Sequence, residues 1–466
     1  MAGFSQGGGV GLSLANWMTN GDPGFDVFGM DVARYGPYAA NNQYLKDTTE
    51  QFYKKRFILT HPNEELPAGR PFKATAAYDI MKDRYGARFG VTYGMEFPQY
   101  FTLNDKNFIE IPTQRRSNAE KFVAGEVQAC RSAAGLWETA IYGRYEVTGK
   151  DAAKWLDYMM ASKLPTVGRM RLATMLKPNG QLMGDLTIMR LADDKFWITG
   201  SYYLQAWHQR WLRSHLPAPG SAGSDVSITN LSDNMIGFSL SGPKSREILS
   251  KVCGDRDVSP KALPFMAVGT MDVGMCRDAV VARVSLTGEL GYEITVPASE
   301  HRALYEALLK AGEPLGMKNI GNKALESLRH EKGYGIWSTE FTQEYTPGMC
   351  GLDKYIAFEK EQFIGKEAAL KEKSNPPAQR LVQLAVDTTD TDCRMLDPIW
   401  YNGKLVGSVT SGAYGHHTGL SLALGYVDAE VASLKPELLV HVVGEPKKAK
   451  ILEASPYDPA SKRLRV

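Results

Sequence analysis

Met175-Leu-Lys-Pro-Asn-Gly-Gln-Leu-Met-Gly-Asp-Leu-Thr-Ile188 is the stretch on which the reading of this chain turns. Pro178-Asn179-Gly180 carries turn chemistry: proline presets φ, and glycine accepts a left-handed backbone. With the period of two that a strand imposes, Leu182, Leu186 and Ile188 then share one face, and Met183, Asp185 and Thr187 share the other. A carboxylate in mid-strand among apolar neighbours loses hydration unless a cation or a hydrogen-bond donor meets it. Asp185 therefore stands either on a solvated face or on the wall of a lined cavity, and the methionines around it favour the cavity.

Working outward, residues 169–175 form the strand before that turn and 181–191 the strand after it. Asp193-Asp194 turns the chain into 196–199, which makes a β-meander. Upstream, 143–148 (GRYEVT) alternates like a strand and stops at Gly149. Asp151 is placed as N-cap of a helix carrying Trp155, Leu156 and Met159. Downstream, 280–286 and 292–296 read as a second strand pair. They feed a helix with Ser299 as N-cap, a stripe of Ala303/Leu304, Ala307/Leu308 and Ala311, and Gly312 as stop. Residues 322–332 form another short helix. Residues 373–378 (KSNPPA) read as a linker, and only short strands come after it (381–386, 404–410, 438–443), as in a small β-barrel or sandwich. The first hundred or so residues are rich in Gly, Tyr, Asn and Asp. Their helical stretches, 11–18 and 42–54, are set apart from the rest of the chain by Pro62, Pro67 and Pro71. The expected class is α+β followed by all-β, divided into a lead-in (1–111), a main domain (112–376) and a C-terminal β-barrel (377–466).

Composition narrows the function. A net charge of +2 over 466 residues gives no reason to expect nucleic acid or an anionic membrane as partner. No apolar run approaches a membrane span, and MAGFSQGGGV has neither the charged nor the apolar region of a secretory signal. Cys130, Cys253, Cys276, Cys350 and Cys393 are scattered, odd in number and free of any CxxC pair. They read as reduced, buried thiols of a cytoplasmic protein, or of the mitochondrial matrix after processing, with no disulfide scaffold and no metal site expected.

Several motifs carry less than they promise. Gly3-Phe-Ser-Gln-Gly7 matches a nucleophile elbow, which needs a strand ahead of the serine; with two residues before it, none is expected. Gly7-Gly-Gly-Val-Gly11 could bring a helix N-terminus close to a phosphate or a flavin. No G-x-G-x-x-G follows a strand, so no complete dinucleotide site is expected. His416-His417 point to opposite faces without acidic partners at ligand spacing, and His330 beside Glu331 reads as structural. All three are expected to pack or hydrogen-bond.

Two further stretches carry chemistry. In Leu286-Thr-Gly-Glu-Leu-Gly-Tyr-Glu293, Glu289 is expected to cap the turn. Glu293, on the strand after it, can accept two parallel N–H bonds from a 2-amino-4-oxo pterin, as it would from a guanidinium. In Ala324-Leu-Glu-Ser-Leu-Arg-His-Glu-Lys-Gly-Tyr-Gly335, Leu325 and Leu328 mark the buried side. Arg329 lies at its edge, either in a buried structural pair or holding a ligand carboxylate. Tyr334, past the Gly333 helix stop, is placed to face a pocket.

These stretches, with Tyr142-Gly-Arg-Tyr-Glu-Val-Thr-Gly149, Phe363-Ile-Gly-Lys366, Thr410-Ser-Gly-Ala-Tyr414 and Ser421-Leu-Ala-Leu-Gly-Tyr426, resemble the glycine-cleavage T-protein (aminomethyltransferase) superfamily over about residues 112–460. The closer resemblance is to the folate-binding C-terminal half of dimethylglycine and sarcosine dehydrogenases. Gly7–Trp17 and Gly21-Asp-Pro-Gly-Phe-Asp26 resemble the closing segment of the flavin domain in those enzymes. The resemblance implies a T-protein-like folate-binding fold of interlaced ferredoxin-like subdomains, followed by a small barrel, with tetrahydrofolate as cofactor. It implies Asp185 as the catalytic acidic residue near the reactive folate nitrogens. Thr187 and Tyr334 would line the folate pocket, Glu293 would read the pterin, and Arg329 matches a family arginine. Two positions depart from the family: Gly184, where many relatives have a second Asp, and Leu286, where many have a tyrosine. Leu286 then faces the pocket near the transferred carbon.

Three functions are compatible with this reading. The first is a tetrahydrofolate-dependent demethylase that moves a methyl group from a small methylated donor to N5. The second is the folate-binding subunit or fragment of a flavin dehydrogenase, forming 5,10-methylenetetrahydrofolate. The third is a folate-binding protein without transfer chemistry. The exposed lead-in helices mark a docking surface for a flavoprotein subunit or a second copy of the chain.

Overall fold

The computed structural model describes residues 3–466 except 63, 104 and 106. The chain opens with a short 3-10 turn (Gly3–Gln6) that runs directly into α1 (Gly7–Asn20), followed by α2 (Asn42–Lys55). Ser5 lies within that 3-10 turn. Next come α3 (Tyr78–Tyr85), the hairpin β1 (Ala87–Thr92) and β2 (Met95–Phe101), and α4 (Glu120–Ser132). A first run holds β3 (Gly135–Glu138), β4 (Tyr142–Thr148), α5 (Ala152–Met159), β5 (Arg169–Leu176), β6 (Leu182–Ala192), β7 (Lys195–Ser201), α6 (Gln205–Ser214) and β8 (Ser227–Asn230). A second holds β9 (Met235–Ser241), α7 (Ser245–Val252), β10 (Val268–Val273), β11 (Cys276–Ala282), β12 (Gly291–Pro297), α8 (His301–Gly312), β13 (Lys318–Asn319) and α9 (Asn322–Lys332).

These strands make two sheets. One has the order β5-β6-β7-β4-β8; the other is β10-β11-β12-β9-β3-β13, antiparallel except where β13 runs parallel to β3. Consecutive β3 and β4 thus belong to different sheets, which interlaces the two halves. The sheets touch through Met170, Met189 and Trp197 on one side and Val268, Val280 and Ala282 on the other. Their backbones also bridge, with Met170 N donating to Met266 O at 2.9 Å. After α10 (Pro347–Cys350) and α11 (Lys366–Ser374), the strands β14 (Gln379–Val386), β15 (Pro398–Tyr401), β16 (Lys404–Gly415), β17 (Leu420–Asp428), β18 (Leu438–Val442) and β19 (Glu445–Ile451) close a barrel in the order β14-β17-β16-β15-β18-β19. Closure removes the exposed edges that strands this short would otherwise present.

The structure departs from the sequence reading in four places. The strand expected over 280–286 stops at Ala282. Ser285 Oγ takes the N–H of Thr287 at 3.1 Å and Gly288 adopts φ +81°, so 283–290 folds as a loop. Ser299 is not a cap, because a 3-10 turn (Ala298–Glu300) runs into α8. Asp151 occupies the N-cap position of α5 but spends its carboxylate on Asp225 N at 3.1 Å. Residues 78–101, loop-like in texture, carry α3 and the hairpin. Met81, Ala87 and Phe101 lie in the core beneath the six-stranded sheet. The buried Glu126 pins the hairpin by accepting from Phe101 N and Gly321 N, both at 2.7 Å.

The lead-in is attached differently. Helix α1 buries only Ser13 and α2 buries nothing, but residues between them reach the main domain. Asp22 pairs with Lys177 at 3.0 Å, and Asp31 with Arg210 at 2.6 Å. Gln343 donates to Asp26 at 3.2 Å. Phe28 sets its ring 5.8 Å from Tyr203 and 5.6 Å from Trp207.

Candidate functional site

Register places the predicted residues on one sheet face. Thr187 of β6 lies opposite Thr199 of β7, which lies opposite Arg144 of β4. Side chains directly opposite in an antiparallel pair share a face, so Thr187, Thr199 and Arg144 form one row. Asp185 and Tyr142 stand two residues along the same face of their strands. The far end of this face, at Met189 and Trp197, is sealed against the second sheet. The near end is not sealed: Asp185, Thr187, Thr199, Ser201 and Tyr142 each keep part of their surface accessible.

The second sheet supplies the facing wall. Glu293 of β12 lies opposite Ser239 of β9, which lies opposite Trp137 of β3. Trp137 meets Tyr142 edge to face, with ring centroids 5.4 Å apart. Leu286, from the 283–290 loop, packs partly buried in the same cluster as Trp137 and Tyr142. Asp185 and Thr187 on the first sheet and Leu286 and Glu293 on the side of the second thus stand on facing walls where the two sheets meet.

Both carboxyl groups are held far from their ordinary range. Asp185 is raised to about 7, chiefly by burial, with the Glu340 carboxylate adding to the rise and its own backbone N–H opposing it. No cation among the described residues offsets it. Glu293 is also raised to about 7 by burial, here opposed by the Arg144 charge and by the Tyr142 hydroxyl. Each carboxyl group keeps a little accessible surface, as a group on a recess wall does, while protein atoms crowd its remaining sides. Burial likewise brings Arg144 down to about 10. Beside Asp185 stand Tyr203, whose hydroxyl lies near Ser338 and Ser201, and the buried Cys350.

Gly184 points away from this recess. A Cβ there would lie 3.3 Å from His208 Nε2 on the opposite face of the sheet. A second carboxylate at 184 would therefore meet a buried imidazole rather than join Asp185, so the departure from the family's Asp-Asp pair leaves the recess itself unaltered.

Two predicted residues go elsewhere. Arg329 is 1% exposed and fully engaged. It pairs with Glu326 at 2.7 Å and Glu340 at 3.2 Å, donates to Tyr334 O at 2.9 Å, and reaches Ser411 of the barrel at 3.3 Å. Of its two possible roles, the buried structural pair is the one built, which leaves its guanidinium no free donors for a ligand carboxylate. Tyr334 is half-buried toward the C-terminal segment, beside Ser461, Asp458 and Arg465. Glu289 is not a turn cap: it pairs with buried Arg131 at 3.0 Å and accepts from the Tyr457 hydroxyl. Arg131 also pairs with Glu331 at 2.7 Å, and Glu331 accepts from His417 N and Thr418 N, which ties the barrel to α4 and α9. His416 bonds Glu120 at 2.9 Å, and His330 bonds Ser411 at 2.8 Å, the structural roles expected of them.

Sequence reasoning passed over Tyr142, Arg144 and Tyr203. The first two carried a signal, since Tyr142 and Arg144, at i and i+2 of YGRYEVT, share a face. Tyr203 sits in an irregular turn and carried none. A cleft of about 630 Å³, lined by residues including Glu65, Tyr78 and Lys82, holds none of the six predicted residues. Its Arg70 is already spent on Glu96 at 2.6 Å and Glu65 at 3.1 Å.

With this geometry in hand, comparison with known proteins is decisive for the family. The family model of the GCVT N-terminal domain matches residues 78–360. The chain belongs to that family. The glycine cleavage T-protein C-terminal barrel domain matches 379–458, over the closed barrel, and the FAD dependent oxidoreductase central domain matches 20–75. The GCVT match begins at α3, so the helix and hairpin of 78–101 fall inside it.

Mitochondrial dimethylglycine dehydrogenase of Rattus norvegicus is 30% identical over 97% of this chain and 52% of its own length. The formaldehyde-forming 4-methylaminobutanoate oxidase of Paenarthrobacter nicotinovorans is 29% identical over all of this chain and 56% of its own. The chain spans about half the length of these curated relatives. Among solved structures, aminomethyltransferase T of the Bartonella henselae glycine cleavage system superposes with a TM-score of 0.71. It covers 83% of this chain and 99% of its own, at 24% identity, which speaks for the fold.

Proposed function

We propose that this chain is a tetrahydrofolate-dependent one-carbon transferase that moves a methyl group from a small methylated donor to N5 of tetrahydrofolate. The observation that carries the reading is Asp185: a carboxyl group in a recess with no cation to offset it among the described residues, on the same sheet face as the row beside Glu293. Such a group is a cost to the fold, and the resemblance to the T-protein superfamily implies the acidic residue near the reactive folate nitrogens at this position. Tetrahydrofolate supplies, when bound, a nucleophilic nitrogen for the carbon.

The residues fit that ligand. Glu293, as a carboxylate, is an acceptor for the paired N–H groups of a pterin. Leu286, packed beside Tyr142, and Thr187 stand on the walls near it. Asp185, as a carboxylate, stabilises positive charge that develops on the reacting centre, and near neutrality it can take up or return a proton. The interlaced sheets keep these groups fixed, so alignment is preset before the donor arrives. Five buried, free thiols accord with a reducing compartment, which we take to be the cytoplasm.

A second reading is favoured by the match at 20–75 to an oxidoreductase domain. In it the chain is the folate half of a dimethylglycine/sarcosine-type flavin dehydrogenase and forms 5,10-methylenetetrahydrofolate with a flavoprotein partner seated on the lead-in. Anaerobic incubation with tetrahydrofolate and methylated amines, sulfonium compounds or methoxyarenes separates the two. The first predicts 5-methyltetrahydrofolate from the chain alone; the second predicts the methylene form, and only when formaldehyde or the flavoprotein is added.

A further inference from the structure

Between Ala282, where β11 stops, and Gly291, where β12 begins, the chain leaves the sheet, so the middle of this loop depends on partners outside the ladder. Leu286 keeps part of its surface accessible, while Ser285 and residues 287–290 are buried on either side of it. Ser285 Oγ lies 3.1 Å from Ser241 Oγ of β9 and 2.7 Å from Thr287 Oγ1. Thr287 O accepts from Arg131 Nη1 at 2.7 Å. Gly288 packs on the stem of Lys332, where a Cβ would lie 2.5 Å from Cγ and Cδ.

These partners lead to the segment after the barrel. Arg131 has every N–H engaged: Nη1 also holds Glu289 Oε1 at 3.0 Å, Nη2 donates to Glu331 Oε2 at 2.7 Å and Leu328 O at 3.4 Å, and Nε to Glu331 Oε2 at 3.3 Å. Its guanidinium lies 3.6 Å over the Tyr457 ring, and the Tyr457 hydroxyl donates to the same Glu289 Oε1. Tyr457, which follows β19, is anchored on α9. Its N–H donates to Glu331 O at 3.2 Å, and Lys332 Nζ reaches Tyr457 O at 3.3 Å and Asp458 O at 2.6 Å. A continuous chain of contacts therefore runs from Tyr457 to the residue beside Leu286.

We propose that Tyr457 is a positioning residue for the folate recess: through Glu289 and Arg131 it fixes Thr287, and so sets where Leu286 stands on the recess wall. The proposal rests on the folate reading above and adds to it a residue from the C-terminal segment. Glu289 is 1% exposed, and Arg463 stands 3.9 Å from its other oxygen. Without the Tyr457 hydroxyl, Glu289 loses a donor at a place closed to water. Arg131, shared with Glu331, then settles toward Glu331. The hold on Thr287 O loosens, and Leu286 shifts against Trp137 and Tyr142.

The test is a double-mutant cycle on the full chain, read as affinity for 5-formyltetrahydrofolate by tryptophan fluorescence titration. Tyr457→Phe keeps the ring beneath Arg131 and removes only the hydroxyl. Leu286→Ala removes the side chain through which that hydroxyl acts. Tyr457→Phe is expected to weaken binding about tenfold in the wild-type background, and by less than about threefold in the Leu286→Ala background. Equal losses in the two backgrounds mean a merely structural role and overturn the proposal, as does no loss in either. If Tyr457→Phe does not fold, hydrogen exchange of wild type decides, because coupling between two sites is reciprocal. Saturating 5-formyltetrahydrofolate is then expected to slow exchange at both 283–290 and 455–463, and no change at 455–463 overturns the proposal. Failure of wild type to bind overturns the folate reading itself, and the proposal with it.

Discussion

Arg329 and Glu340 form an ion pair that water does not reach, Nη1 to Oε2 3.2 Å, where the folate-type domain meets the barrel. Burial by itself would raise the Glu340 carboxyl. The Arg329 charge and the hydroxyls of Ser411 and Thr339 more than offset it and hold the group below its ordinary range. The same carboxylate accepts from Thr410 Oγ1 at 2.7 Å and Ser411 Oγ at 2.5 Å, so one ion pair gathers α9, the 336–341 loop and β16.

Breaking that pair from one side leaves a buried charge without a partner, which costs about 3–5 kcal/mol. Arg329→Met is expected to lower stability by about that amount in urea unfolding, with folate affinity unchanged for the molecules that remain folded. A weakened affinity at unchanged stability would return Arg329 to the ligand.

Asp185 gives the opposite signature. Its carboxyl is raised from 3.8 to about 7 in the folded chain, so folding favours the protonated form. The stability it contributes is complete below about pH 4 and is lost as pH rises through about 7. Asp185→Asn removes that loss. The variant is expected to match wild type near pH 4 and to exceed it above pH 8 by up to about 4 kcal/mol, less what residual water in the recess screens. Thermal unfolding from pH 4 to 9 checks this; a variant less stable than wild type at pH 8 would mean that Asp185 has a partner.

Leu286 tests the recess from its other wall. It packs beside Trp137 and Tyr142. Leu286→Tyr adds a ring to that cluster, and an added aromatic contact is worth about 0.5–1.5 kcal/mol. Folate binding is expected to tighten about fivefold by the same fluorescence titration. Unchanged or weaker binding would put Leu286 outside the folate pocket.

Much of this was legible in the sequence, for identifiable reasons. The strand carrying Asp185 and Thr187 shows because turn chemistry at 178–180 fixes its start and period two assigns its faces. The barrel shows because glycine turns punctuate its strands. Three things did not show. The hairpin 87–101 is interrupted by Gly90 and Pro98, and its burial comes from contacts with distant helices. Arg329 sits in a sequence context that suits either a ligand or a buried pair, and Glu289 in one that suits a turn cap; only the arrival of Glu340, Ser411 and Arg131 from elsewhere in the chain decides both. Arg144 and Glu293 come to stand on facing sheets although about 150 positions separate them, beyond the reach of any local pattern.

The most direct test of the central claim is product analysis with wild type and Asp185→Asn side by side, under anaerobic conditions, with tetrahydrofolate and the panel of methylated donors. Wild type is expected to convert tetrahydrofolate to its 5-methyl form with at least one donor, and Asp185→Asn to do so about 10²-fold more slowly or worse. No folate product from any donor, or equal rates for the two proteins, would contradict the account.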